Sequence, residues 1–137
     1  MSSAVFDDTS ADVKDQLLKL DVLDALRDFI GSEPLQHYLS DFVLNSAQHL
    51  HHISMAIAVE DGAGIRQLAH KLKGTSGNIG ALKLAWHCVE LEAASADDCA
   101  QEMLKEKFQQ LERTSQDTQK AIQTYIDSLL SVREYIG

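Results

Sequence analysis

Residues 104–132 read LKEKFQQLERTSQDTQKAIQTYIDSLLSV, and their spacing decides the fold class. Leu104, Phe108, Leu111, Ser115, Thr118, Ile122, Tyr125, Leu129 and Val132 follow one another at alternating steps of four and three. The mean step of about 3.5 residues is that of helices packed lengthwise at shallow crossing angles. At 1.5 Å per residue, such a helix reaches about 50 Å, longer than its partners, so its end either projects or docks on the N-terminal helix.

Working back along the chain, LKLAWHCVELEAA predicts a helix over about Leu82–Ala94. Leu84, Ala85, Cys88 and Leu91 form one apolar side, and Trp86, Val89 and Ala93 form a second that would meet another neighbour. SADDCA makes a turn with an acidic helix start. A third helix carries Ile65, Leu68, Ala69, Leu72, Ser76 and Ile79 on its inner face and ends near Gly80. Before it, Leu35, Leu39, Phe42, Leu50, Ile53 and Ile57 give a long helix its apolar face. Ser32 and Pro34 are read as its start and Asp61–Gly62 as its stop. One or two short helices precede it, through Val13, Leu17 and Leu20, then Val22, Leu23, Leu26 and Ile30, with Gly31 as the stop. Short connections favour antiparallel neighbours. The prediction is an all-α, up-down-up-down antiparallel four-helix bundle with one or two additional short N-terminal helices. Residues 1–11 form a loose lead-in and 12–137 a single domain.

Composition narrows the function classes. The chain has 137 residues, enough for a real core, and a formal net charge of -9 from 21 acidic and 12 basic residues. That balance argues against nucleic acid or an anionic membrane as partner, because phosphate binding draws on Lys and Arg. No apolar run reaches the ~18–20 residues of a membrane span, and MSSAVFDDTSADVK lacks the basic and apolar parts of a signal peptide. A cytoplasmic protein is expected, with Cys88 and Cys99 as free thiols. Met1 and the lack of an attached kinase or receiver pattern favour a free-standing protein, and a bundle of this size can be self-sufficient, so a monomer is expected.

The third helix contains AHKLKGTSGNIGA, residues 69–81, with Gly74, Gly77 and Gly80. An interior glycine costs a helix about 1 kcal/mol relative to alanine, so its presence asks for a reason. With Ile65 at the centre of the buried stripe and about 100° per residue, His70 faces solvent, flanked by Gly74 and Gly77. Lys73 and Arg66 lie between His70 and the stripe. An exposed imidazole, a patch almost without side chains and two cations suit a histidine that holds an anion, such as phosphate, while a second macromolecule approaches. Gly80, on the inner side, fits a helix cap or a close contact.

The same residues identify a resemblance. His70, Leu72, Lys73, Gly74, Ser76, Gly80 and Ala81 match the signature of the histidine-containing phosphotransfer (HPt) domain of multistep two-component phosphorelays. LDALRDFIG and LQHYLSDFV resemble its opening helices, so the likeness spans roughly residues 20–130. It implies a four-helix bundle in which His70 takes a phosphoryl group from a receiver aspartyl phosphate and passes it to another receiver aspartate. It further implies that Lys73 neutralises phosphoryl charge and Gly74 leaves room for docking; Gly77 and Arg66 are added to the docking patch from the wheel alone. The partners implied are receiver domains of hybrid sensor kinases and response regulators. The chain is expected to bind no cofactor or metal and to lack an ATP site, with Mg²⁺ supplied by the receiver.

Other readings fit less well. GTSGNIG lacks the strand and the Gly-Lys-Ser/Thr ending of a phosphate loop. His49, His51 and His52 lack the Glu-x-x-His pairs of a metal bundle. In a sensor-kinase dimerisation helix the histidine is usually followed by an acid, whereas Lys71 follows His70. The alternative kept open is a helical adaptor that docks receiver-like proteins without carrying phosphate.

Overall fold

The computed structural model describes residues 16–96 and 101–136. The expected lead-in of residues 1–11, Val13, Cys99 and the side chain of Val132 lie outside the described part. Five helices follow in order: α1 Leu20–Ile30, α2 Ser32–Ala58, α3 Gly62–Asn78, α4 Leu82–Ala96 and α5 Gln101–Ile136. Among the described residues there is no strand, and no helix is long and apolar enough to cross a membrane. Leu17, expected on a helix, lies in the non-helical stretch 16–19 before α1.

The four longer helices close a ring of contacts: α2 packs on α3 and α5, and α4 packs on α3 and α5, while α1 packs on the start of the chain's long α2. Along α3 and α4, Arg66 meets Ser95 and His70 meets Glu92, so this pair runs in opposite senses. The core inside the ring holds Leu39, Ile53, Ile65, Leu72, Leu84, Leu91, Leu111 and Ile122, each fully or almost fully buried. These are the residues of the apolar stripes, and burying each stabilises the fold by roughly 1.5–3 kcal/mol. On α5 the 3.5-residue face is buried at Leu104, Leu111, Thr118, Ile122, Tyr125 and Leu129, and half-buried at Phe108 and Ser115. Thr118 fits because its hydroxyl donates to the Thr114 carbonyl at 2.7 Å, which satisfies a buried polar group.

Several helix ends depart from the expectation. Ser32 is not a cap but the first residue of α2, and Pro34 is its third. Gly31, at φ 95°, takes the junction instead, its N–H donating to the Arg27 carbonyl and its own carbonyl accepting from Leu35. A positive φ lets one residue end α1 and begin α2. Asp61–Gly62 is likewise a start rather than a stop. α2 ends at Ala58, and Asp61 caps α3 by accepting from the Gly64 N–H at 3.0 Å; an aspartate beside glycine serves either end, and the backbone donors of α3 decide it. The second apolar side of α4 is not a packing face: Val89 and Ala93 are exposed, and half-buried Trp86 sits edge-on to the His87 ring at 5.1 Å.

Two contacts hold the N-terminal part. α5 is linked to α1 by the Tyr125 hydroxyl, which donates to Asp24 Oδ1 at 3.0 Å. Ahead of α1, the Lys19 N–H donates to the Gly80 carbonyl and the Lys83 N–H to the Gln16 carbonyl, both at 2.8 Å. Gly80, at φ 77°, is the point of closest approach: a Cβ there would stand 3.0 Å from the Lys19 carbonyl oxygen.

Candidate functional site

The buried stripe of α3 fixes what its opposite face can present. Ile65, Ala69, Leu72 and Ser76 are buried against the neighbouring helices, and Leu68 is half-buried. Rotation by about 100° per residue then turns His70, Gly74 and Gly77 outward. The His70 side chain is 65% exposed. Both glycines are exposed, and a Cβ built on either would find no atom of the described residues within 4 Å. One face of α3 therefore offers an imidazole and, along the next two turns, bare backbone.

The charges around this face come from two helices. Lys73, one turn along from His70, is half-buried and, among the described residues, makes no ion pair within 4 Å. Arg66, one turn back, is half-buried and its Nη1 donates to the Ser95 carbonyl at 2.8 Å. That bond ties α3 to the last turn of α4, where a cation also meets the negative end of the helix dipole. Glu92, on α4, brings Oε2 to 3.4 Å from His70 Nδ1, with its side chain 32% exposed.

Glu92 is the residue that sequence reasoning missed, because the wheel of α3 sees only its own helix. The available signal was the short turn 79–81. Once two helices are joined by so few residues, each step up one is matched by a step down the other, and position 92 falls opposite 70.

Beneath the face, Cys88 is fully buried and its thiol is pushed well above the ordinary range by burial first, with Glu92 raising it further and Lys73 opposing. A thiol so held is a packing group rather than a nucleophile. Leu72 and Ala81 are core residues, and Ser76 is buried with its hydroxyl unpaired. Gly80 carries the positive φ of the α3–α4 turn. The motif positions thus divide into an outer set, His70, Lys73 and Gly74, and an inner set that seats the helix.

The remaining histidines are elsewhere. His37, His51 and His52 are exposed, and half-buried His49 has its basicity lowered, chiefly by burial. Among the described residues no three or more His, Cys, Asp or Glu side chains gather as a metal site would need. Grooves of about 200–460 Å³ run along α2, between it and α3 or α5, and His70 lines none of them. An imidazole on an open helix face suits a macromolecular partner better than an enclosed small molecule.

Comparison with known proteins bears on the same segment. A family model described as Hpt domain matches residues 37–131. The crystal structure of histidine-containing phosphotransfer protein B (HptB) from Pseudomonas aeruginosa PAO1 is similar, with a TM-score of 0.74 at 27% identity, over 82% of this chain and 96% of that one. No curated protein sequence matches.

Proposed function

From the premise that this chain belongs to the Hpt domain family, we propose that His70 is its phosphoacceptor, taking a phosphoryl group from a receiver aspartyl phosphate and passing it to, or back to, a receiver aspartate. The observation that carries this reading is the α3 face: an imidazole 65% exposed beside two glycines over which none of the described residues lies. Helices α2–α5 are read as an up-down-up-down antiparallel bundle, supported by the short connections and the opposed pairing of α3 with α4.

In the forward step an imidazole nitrogen of neutral His70 attacks phosphorus in line. The N–P bond forms, the P–O bond to the aspartyl carboxyl breaks, and the receiver carboxylate leaves with the electron pair. Lys73 sits on the same side of the helix and counters charge on the equatorial oxygens. Gly74 and Gly77 admit the receiver surface, while Arg66 acts by anchoring α3 to α4 at the edge of that surface. Mg²⁺ belongs to the acidic pocket of the receiver. The chain is a phosphocarrier without its own ATP site, working in the cytoplasm as a monomer between receivers of hybrid sensor kinases and response regulators.

The test is incubation with phosphorylated receiver domains, using the wild type and His70→Gln. Phosphate that appears on the wild type alone, labile in acid and stable in base, is the expected result. Binding of receivers with no transfer to either form overturns the reading and leaves an adaptor.

A further inference from the structure

On a chain whose formal net charge is -9, α3 carries Arg66, Lys71 and Lys73 and no acidic residue, and the acids of α2 are Glu33 and Asp41 alone. Between these two helices runs a groove of about 460 Å³ that His70 does not line. His49 and His52 on α2 and Lys71 on α3 bring three nitrogen bases to it, and Asn45, Gln48 and Thr75 add amide and hydroxyl groups. Among the described residues no carboxylate lines it. We propose that this groove binds the phosphate group of a small molecule, independently of any transfer through His70.

The donor set suits that group. A phosphate gathers several acceptor oxygens at one point, and ammonium, imidazolium and amide N–H groups all donate to them. Lys71 is exposed and, among the described residues, makes no ion pair within 4 Å. Half-buried His49 has its basicity lowered by burial first, then, against the opposing Asn45 backbone, by Lys71 and His52. Bases that disfavour one another's charge leave a place where an anion relieves them together. A phosphate group, a few water volumes of about 30 Å³ each, leaves most of the groove empty. Through Asn45 and Thr75 the groove continues into a hollow of about 200 Å³ walled by Tyr38 and Phe42, where the body of a phosphate ester has apolar and aromatic surface to lie on. Asp41 lines that hollow and not the basic groove. His51, with its ring centroid 5.9 Å from that of His52, lines a separate groove toward α5.

The test follows the six histidines of the full chain by NMR pH titration. The probes are inorganic phosphate and glycerol phosphate, with sodium chloride at matched ionic strength as the control. An anion in the groove favours the protonated imidazoles. His49 and His52 should therefore titrate about 0.5 pH higher with a phosphate probe, which is about a threefold preference of the anion for each protonated ring. His37 and His87, which do not line the groove, should move only as they do in chloride. Lys71→Glu should weaken binding about tenfold or more, with circular dichroism checking that the variant is folded. The tighter of the two probes names the source, an ester or free phosphate. Shifts at His49 and His52 no larger than in chloride, shifts confined to His70, or undiminished binding by Lys71→Glu overturn the proposal. None of these readouts depends on phosphate transfer, so a chain that takes no phosphoryl group from a receiver would lose the relay reading and keep this site.

Discussion

Replacing Gly74 separates the stability of α3 from its use. Gly74 lies in the interior of a 17-residue helix, and the space where its Cβ would stand is open. Alanine there should therefore gain the full difference in helix propensity, about 0.8–1 kcal/mol, with no clash to set against it. A chain of this length unfolds with an entropy of about 2.1 cal/mol/K per residue, about 290 cal/mol/K in all, so the melting temperature should rise by about 3 °C. Gly77 sits in the last turn, one residue before the helix ends at Asn78, and Gly77→Ala should gain less. Gly74→Gln keeps a good helix former but puts a long side chain where the receiver must settle. It should be at least as stable as the wild type while the half-saturating receiver concentration rises tenfold or more. Calorimetry and single-turnover phosphotransfer measure the two effects on the same samples. If Gly74→Ala lowers the melting temperature, or Gly74→Gln takes phosphate at the wild-type concentration dependence, the docking argument fails.

Further outcomes follow from the same geometry. Gly80→Ala should cost about 1–2 kcal/mol or more, because φ is 77° and the new methyl would press on the Lys19 carbonyl; denaturant unfolding will show the opposite sign from Gly74→Ala. Lys73→Ala should slow transfer by about ten- to a hundredfold without unfolding the chain, and stopped-flow transfer will measure it. Tyr125→Phe should cost about 1 kcal/mol through loss of the bond to Asp24. The Tyr125 phenol is raised to about 12 by burial, then by that bond and the Asp24 charge. A raised acid favours its neutral form, so this contribution is whole below pH 10 and lost as the pH climbs to about 12. Alkaline unfolding curves should show that pH dependence weakened in Tyr125→Phe.

The sequence carried the helices and the exposed face for one physical reason: both follow from periodicity along a single helix. The stripe Ile65, Ala69, Leu72, Ser76 settles the rotation of α3, and with it the direction of His70 and the glycines. The 3.5-residue series on α5 held even at Thr118, where hydrophobicity alone would have broken it. Helix ends were less legible. Ser32 and Asp61 are good cap residues in isolation, but which end they serve depends on whose backbone donors are near, and Gly31 took the role offered to Ser32. Val89 and Ala93 looked like a packing side because apolar residues on a wheel do not say whether a neighbour exists. Glu92 was hidden for the converse reason, since its importance lies in the residue facing it across a turn. Arg66 was legible as a cation near His70, but not as one held by a carbonyl of α4.

The strap formed by residues 16–19 has a consequence for how such chains diverge. Its two links to the α3–α4 turn join main-chain atoms at both ends, so no particular side chain is required of Gln16, Lys19 or Lys83 for the closure to form. Only Gly80, where the crossing leaves no room for a methyl group, is constrained by it. Leading segments of quite different composition could fasten the same corner, and the feature would be invisible to any method that compares letters rather than backbones.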